Sequence, residues 1–396
     1  MYLILKEIFR SVRNILKGRY KWLLILFLLW LYRVDFVVSD TGGLAKVLQV
    51  VTIFGMLMMV QSNRRSIINY TYTKTNGAVK SLMVLYTYAL ISTLWALIPT
   101  FAFFLSFQNL VLAILLVWIF TRIDNFKDTE KIFLIGCASI MLFEAIVFRI
   151  VRTPGVFIHC LVSGSSAALL FTYSIAEYMD MKRYDAKRKR MLKGCIFLSL
   201  TVLVTSTSSG ANASAIFGLA IALLFSGRIF YALSLFVCGL VLFLNPEIID
   251  KLLLLIMPGK TMAIIESANG RESLWNILLD LAAEKPVFGW GFACIERAVT
   301  QTGFMASDAH NNYLGIYGSL GVVGCVLFGW HLLNSVNMAF RNRAKPGYLG
   351  LLCVVCCTIL NGYSYGFLSG KACSMTIIYF AAVVMMFTLS RISRYE

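Results

Sequence analysis

Charge is scarce in this chain. Only 14% of its 396 residues are Asp, Glu, Lys or Arg, where a soluble domain carries about 25%. Stretches of about ten residues with alternating polarity are absent, which argues against a membrane β-barrel. No G-x-x-x-x-G-K-[ST], H-E-x-x-H or G-x-G-x-x-G occurs. The phosphate-cradling loop, the zinc-binding helix and the dinucleotide fingerprint of soluble enzymes are therefore missing. D-x-D is missing too, and Asp250, Asp280 and Asp308 are scattered, so nothing marks a metal site. The two halves do not mirror each other in loop length and no internal repeat is visible, which counts against repeat-built transporter folds. No cleavable signal peptide is evident.

What is present is apolar. Hydrophobic residues make up 59% of the chain and the mean hydropathy is +0.78. Apolar runs long enough to cross a hydrocarbon core of about 30 Å recur from end to end. The fold class they predict is an all-α membrane protein, one integral domain over residues 1–396 with about twelve spans. These fall near 21–38, 44–60, 80–98, 101–120, 132–150, 156–178, 194–208, 211–226, 229–244, 311–331, 348–367 and 371–390. An even number places both termini on one side. The segments on that side hold 26 of the 36 Lys and Arg residues. The positive-inside rule then makes both termini cytoplasmic, and it accounts for the net charge of +17 without nucleic acid. Residues 1–19 form an amphipathic segment, with Leu5, Ile8, Phe9, Val12 and Leu16 on one face and Lys6, Arg10, Arg13 and Lys17 on another. That pattern suits a helix on an anionic cytoplasmic leaflet, and equally the solvated start of the first span.

Nine of the ten cysteines lie in or at the ends of apolar spans, including Cys353, Cys356 and Cys357 in a C-x-x-C-C string. There a thiol packs as a small hydrophobe. Cys294 alone sits in the loop 245–310, which argues against a disulfide framework there.

That loop, between spans nine and ten, is the one long connection, and the charge pattern makes it extracytoplasmic. A structured loop of this length is usually functional. Glu272 to Glu284 reads as an amphipathic helix with Leu274, Trp275, Leu278, Leu281 and Ala282 on one face; Pro286 stops it and Gly289-Trp290-Gly291 turns the chain. Arg271 stands at its start, where a guanidinium and free helix N–H groups together suit an anion, or form a solvated cap. His310 sits where the loop re-enters the membrane, between Asp308 and Asn311. An imidazole there can take a proton from a hydroxyl near neutral pH, with Asp308 to orient it, or it can serve as a cap. Arg149 and Arg152 share a helix face at the outer end of the fifth span, near Glu144. Paired guanidiniums suit a diphosphate, and also anchor a helix end. Arg33 with Asp35 reads as a pair near the outer end of the first span. His159 and His331 read as interhelical hydrogen bonds. Trp275, Trp290, Phe292 and Tyr313 suit sugar stacking or interface anchoring.

Three pieces in order make a combined pattern: a Ser/Gly turn entering a span (Ser206 to Ala215), G-R-x-x-x-W followed by P-x-x-G-x-G (Gly270, Arg271, Trp275, Pro286, Gly289, Gly291), and H-N-x-Y-L with glycines after it (His310, Asn311, Tyr313, Leu314, Gly318, Gly321, Gly324). The pattern covers roughly residues 200 to 330 and resembles the O-antigen ligase and O-antigen polymerase superfamily of bacterial membrane glycosyltransferases. The resemblance implies a multi-helical glycosyltransferase architecture in the bacterial cytoplasmic membrane. The implied donor is an undecaprenyl-diphosphate-linked oligosaccharide and the acceptor a glycan, with no cofactor, metal or nucleotide sugar. The expected partners are membrane lipids, a chain-length regulator and a flippase. His310 and Arg271 become the expected catalytic residues, Arg149, Arg152 and Arg271 the diphosphate ligands, and Asp308, Asn311, Tyr313 and Trp275 their support. Many relatives carry a basic residue in the Ser/Gly turn, whereas this chain reads Ser208-Ser209-Gly210-Ala211. A polymerase of O-antigen, capsule or exopolysaccharide repeat units is the first reading. A ligase delivering a finished glycan to a lipid A core is the second, and a polysaccharide transporter or flippase the third.

Overall fold

The computed structural model describes residues 76–149, 160–181, 185–243, 271–304 and 308–392. The amphipathic segment 1–19, the first two expected spans, Arg33, Asp35, Arg152, His159 and the first part of the long loop lie outside these residues. The same holds for the side chain of Arg149.

The described residues are helical, with no strand among them. We number the helices α1 Gly77–Ile91, α2 Pro99–Phe120, α3 Phe126–Arg149, α4 Cys160–Asp180, α5 Ala186–Thr205, α6 Ser209–Phe225, α7 Ile229–Phe243, α8 Glu272–Glu284, α9 Ile295–Gln301, α10 Asn312–Arg341, α11 Tyr348–Asn361 and α12 Ser374–Ile392. A 3-10 turn, Ser92–Trp95, extends α1. Gly77–Trp95, Pro99–Phe120, Asn312–Arg341 and Ser374–Ile392 are long and apolar enough to cross a membrane, and α6, α7 and α11 are shorter apolar helices.

Residue choice explains the packing. Helix α12 carries apolar side chains all round, and almost all of them are buried, as expected of a central helix. It touches α2, α3, α4 and α11. Helices α4, α6 and α11 form a close group, and α10 runs along α1. In lipid such contacts rest on close packing and hydrogen bonds rather than on water exclusion. Gly218 of α6 lets Thr172 and the Cys353 carbonyl approach. His331 sits fully buried between α1 and α12, 3.2 Å from Ser81 Oγ and 2.8 Å from Tyr379 Oη.

The connections gather at two ends. One end is rich in charge. There Arg188 bonds Glu130 at 2.7 Å and Glu177 at 2.6 Å, and Glu177 also accepts the N–H groups of Gly347 and Gly350 at the start of α11. The opposite end holds the turns 92–98 and 206–208, helices α8 and α9, and the connection 362–373.

At this second end α10 is broken. Gly321 has φ +66°, a left-handed conformation that a residue with a Cβ rarely adopts. The break frees backbone groups, and the turn after α8 occupies them. Trp290 N–H donates to the Gly318 carbonyl at 3.0 Å, Gly291 N–H to Ser319 at 2.8 Å, and Val322 N–H to Pro286 at 2.8 Å. A Cβ on Gly289 or Gly321 would collide with the facing backbone. The P-x-x-G-x-G and post-histidine glycines are thus two halves of one joint. Irregular backbone is tolerated near a membrane where protein buries and satisfies it.

Candidate functional site

Helix α8 begins at Arg271 and spans Glu272–Glu284, as its amphipathic pattern predicts. Its apolar face builds a small core of its own from Leu274, Leu278, Ile295, Ala298, Val299 and Ala309. That core fixes α8 and α9 against the start of α10.

Three segments converge on the connection between α11 and α12. Arg271 donates from Nη1 to the Ser364 carbonyl at 2.7 Å. Trp275 lies edge-on to Tyr363, with ring centroids 5.4 Å apart, and its indole N–H donates to the Ala309 carbonyl at 3.1 Å. A Cβ on Gly210, in the Ser/Gly turn, would meet Ser364 Oγ, and one on Gly366 would meet Asp308 Oδ1. Asn312 locks the assembly: its N–H donates to the Gly362 carbonyl at 2.7 Å, and its side-chain oxygen accepts from Leu368 N–H at 2.7 Å. Arg271 and the Asp308–His310 turn therefore stand on one scaffold. About forty residues of sequence separate them, and the 363–366 segment joins them.

His310 has φ +51°, a conformation uncommon for a residue with a side chain. Its N–H donates to Asp308 Oδ1 at 3.1 Å, and Nδ1 lies 3.9 Å from Asp308 Oδ2. The imidazole is 30% exposed. Asn311 caps α10 by accepting from Tyr313 and Leu314 N–H. Tyr313 donates its hydroxyl to the Ile359 carbonyl at 2.7 Å. Trp290 donates to the Leu281 carbonyl and lies under Lys285. Phe292 is buried edge-on to Tyr86 and leaves no ring face open for stacking.

Two features escaped sequence reasoning. The N-G-Y-S-Y-G segment, Asn361 to Gly366, is the floor of the site, and its only signal is polarity at the end of an apolar span. Glu296 is the other. It lies 8% exposed in the small core, beside the His310 turn. Burial, and then the charge of Asp308, push its carboxyl up to about 7, while the Ala309 N–H pulls the other way. No group of three or more metal-ligating side chains occurs among the described residues.

Residues 194–329 match the family model described as O-antigen ligase. Over this segment, about a third of the chain, the protein is similar to O-antigen ligases. The segment takes in α5 from residue 194, α6 to α9, and α10 as far as residue 329. Arg271, Asp308 and His310 lie inside the matched segment, whereas Arg149, Arg152 and the 362–373 connection lie outside it. No curated protein matches the chain.

Proposed function

We propose that the protein is a bacterial membrane glycosyltransferase that polymerises undecaprenyl-diphosphate-linked repeat units of an O-antigen, capsule or exopolysaccharide. The observation that carries this reading is the shared scaffold of Arg271 and His310 within the segment that matches the O-antigen ligase model.

The chemistry follows from those two side chains. The acceptor hydroxyl attacks the anomeric carbon of the donor, the bond to the diphosphate oxygen breaks, and lipid diphosphate leaves. Arg271, oriented by Ser364, meets the negative charge that grows on the leaving diphosphate. The start of α8 adds helix N–H groups to the same charge. Arg149 and Arg152 serve as further diphosphate contacts. His310 accepts the hydroxyl proton, and the Asp308 carboxylate, 3.9 Å from Nδ1, stabilises the imidazolium that forms. In this reading the site faces the extracytoplasmic side, and both termini are cytoplasmic.

The ligase reading keeps the same donor steps and changes the acceptor to a lipid A core. The description of the matching family favours it. The missing basic residue in the 206–211 turn and the G-R-x-x-x-W spelling favour the polymerase. Lipid extracts of deletion cells separate the two. Loss of a polymerase leaves single capped units, and loss of a ligase leaves long unattached chains.

A further inference from the structure

We propose that Glu296 is a positioning residue for His310: enclosed behind the Asp308–His310 turn, its carboxyl fixes that turn and adds its own charge to the field at the imidazole. The inference rests on the reading of His310 as the base.

The carboxyl occupies a place where an apolar group would serve stability better. Glu296 is 8% exposed, on the helix that supplies Ile295, Ala298 and Val299 to the small core. Its Oε2 has no hydrogen-bond partner among the described residues. An unsatisfied oxygen in an apolar core is a standing cost, which points to a role other than holding the fold. The carboxyl lies beside the Ala309 N–H and the charge of Asp308. Ala309 is the middle residue of the turn whose ends are Asp308 and His310, so a group gripping Ala309 grips both.

The surroundings limit what else it can answer to. Helix α8 presents only apolar side chains and the Trp275 indole to this core. From α9 itself come Arg297, whose guanidinium lies 4.8 Å over Phe101, and the neighbouring Cys294. From the turn come Asp308 and, beyond it, His310. Burial, and then Asp308, push the Glu296 carboxyl up to about 7. Loss of its proton adds negative charge behind Asp308 and makes the imidazole hold its proton more firmly.

The imidazole can be read without turnover. Modification of His310 by diethyl pyrocarbonate, followed by mass spectrometry across pH in proteoliposomes, reports its midpoint. Glu296→Gln keeps the shape and removes the charge. The expected result is a midpoint lower by about half a pH unit, with polymer formation in complemented cells reduced several-fold. A midpoint equal to wild type overturns the proposal. Should Glu296→Gln fail to insert, Glu296→Asp carries the test. Withdrawal by one methylene gives a smaller shift in the same direction, and an unmoved midpoint is again fatal. His310→Ala in the same cells tests the underlying reading separately. Full polymer formation there removes the base, while the midpoint shift in Glu296→Gln still stands or falls by itself.

Discussion

At the scale of single residues, the proposed mechanism gives the chemistry to two side chains whose neighbours set their geometry. Arg271 is held by the Ser364 carbonyl, so its planar fork presents a fixed edge. Arg271→Lys supplies charge without the fork. Transfer rate should fall at least about tenfold while membrane insertion is unchanged, measured as polymer formed per unit of inserted protein. His310 adopts a left-handed backbone that Asn tolerates well. His310→Asn should therefore keep the turn, seen as an unchanged proteolysis pattern, and lower transfer by roughly 10²-fold or more. Glu296 adds a pH term. Its folded carboxyl titrates near 7, above its unfolded value. Its contribution to stability is full below about pH 4.5 and is lost as pH rises through about 7. Thermal unfolding in detergent should show this loss, and Glu296→Gln should flatten it. Arg271 and His310 are legible in the sequence because ionisable groups stand out in an apolar chain. Ser364 and Gly366 are not legible, because they act through a backbone carbonyl and a missing Cβ. Glu296 is hidden by its place on a seven-residue helix, too short to show a period.

At the scale of elements, the organising feature is the joint between α10 and the turn 286–291. Gly321 breaks the helix, and that turn satisfies the exposed backbone. Gly321→Ala combines a strained φ with a collision against the Val287 carbonyl. It should destabilise the docked loop by roughly 1–3 kcal/mol. Hydrogen exchange should then rise across residues 286–304 while α12 stays protected. Apolar length made most helices readable, and α8 is readable to the residue from its amphipathic face and Pro286. The span expected over 311–331 instead extends to Arg341, because Asn334 and Asn337 lower hydropathy without breaking a helix. The joint itself depends on pairing between segments about thirty residues apart, and local pattern carries no trace of such pairing.

At the scale of the whole molecule, the described bundle has a charged end and a site end. The charged end is tied by Arg188 between Glu130 and Glu177, with both carboxylates almost fully buried. Glu177→Ala leaves Arg188 short of a partner and two N–H groups of α11 without an acceptor. A loss of about 3–5 kcal/mol is expected, read as a lower thermal midpoint in detergent. The proposed glycan-transfer site lies at the opposite end, so catalysis in whatever protein survives should be near normal. The central claim is transfer from a lipid diphosphate by the Arg271–His310 site. Its most direct test supplies the purified protein in proteoliposomes with an undecaprenyl-diphosphate-linked repeat unit and follows both products. The account predicts that undecaprenyl diphosphate is released in step with lengthening glycan, and that His310→Asn stops both. Glycan lengthening in the His310→Asn protein at the wild-type rate, or no release of undecaprenyl diphosphate by the wild-type protein, would contradict it.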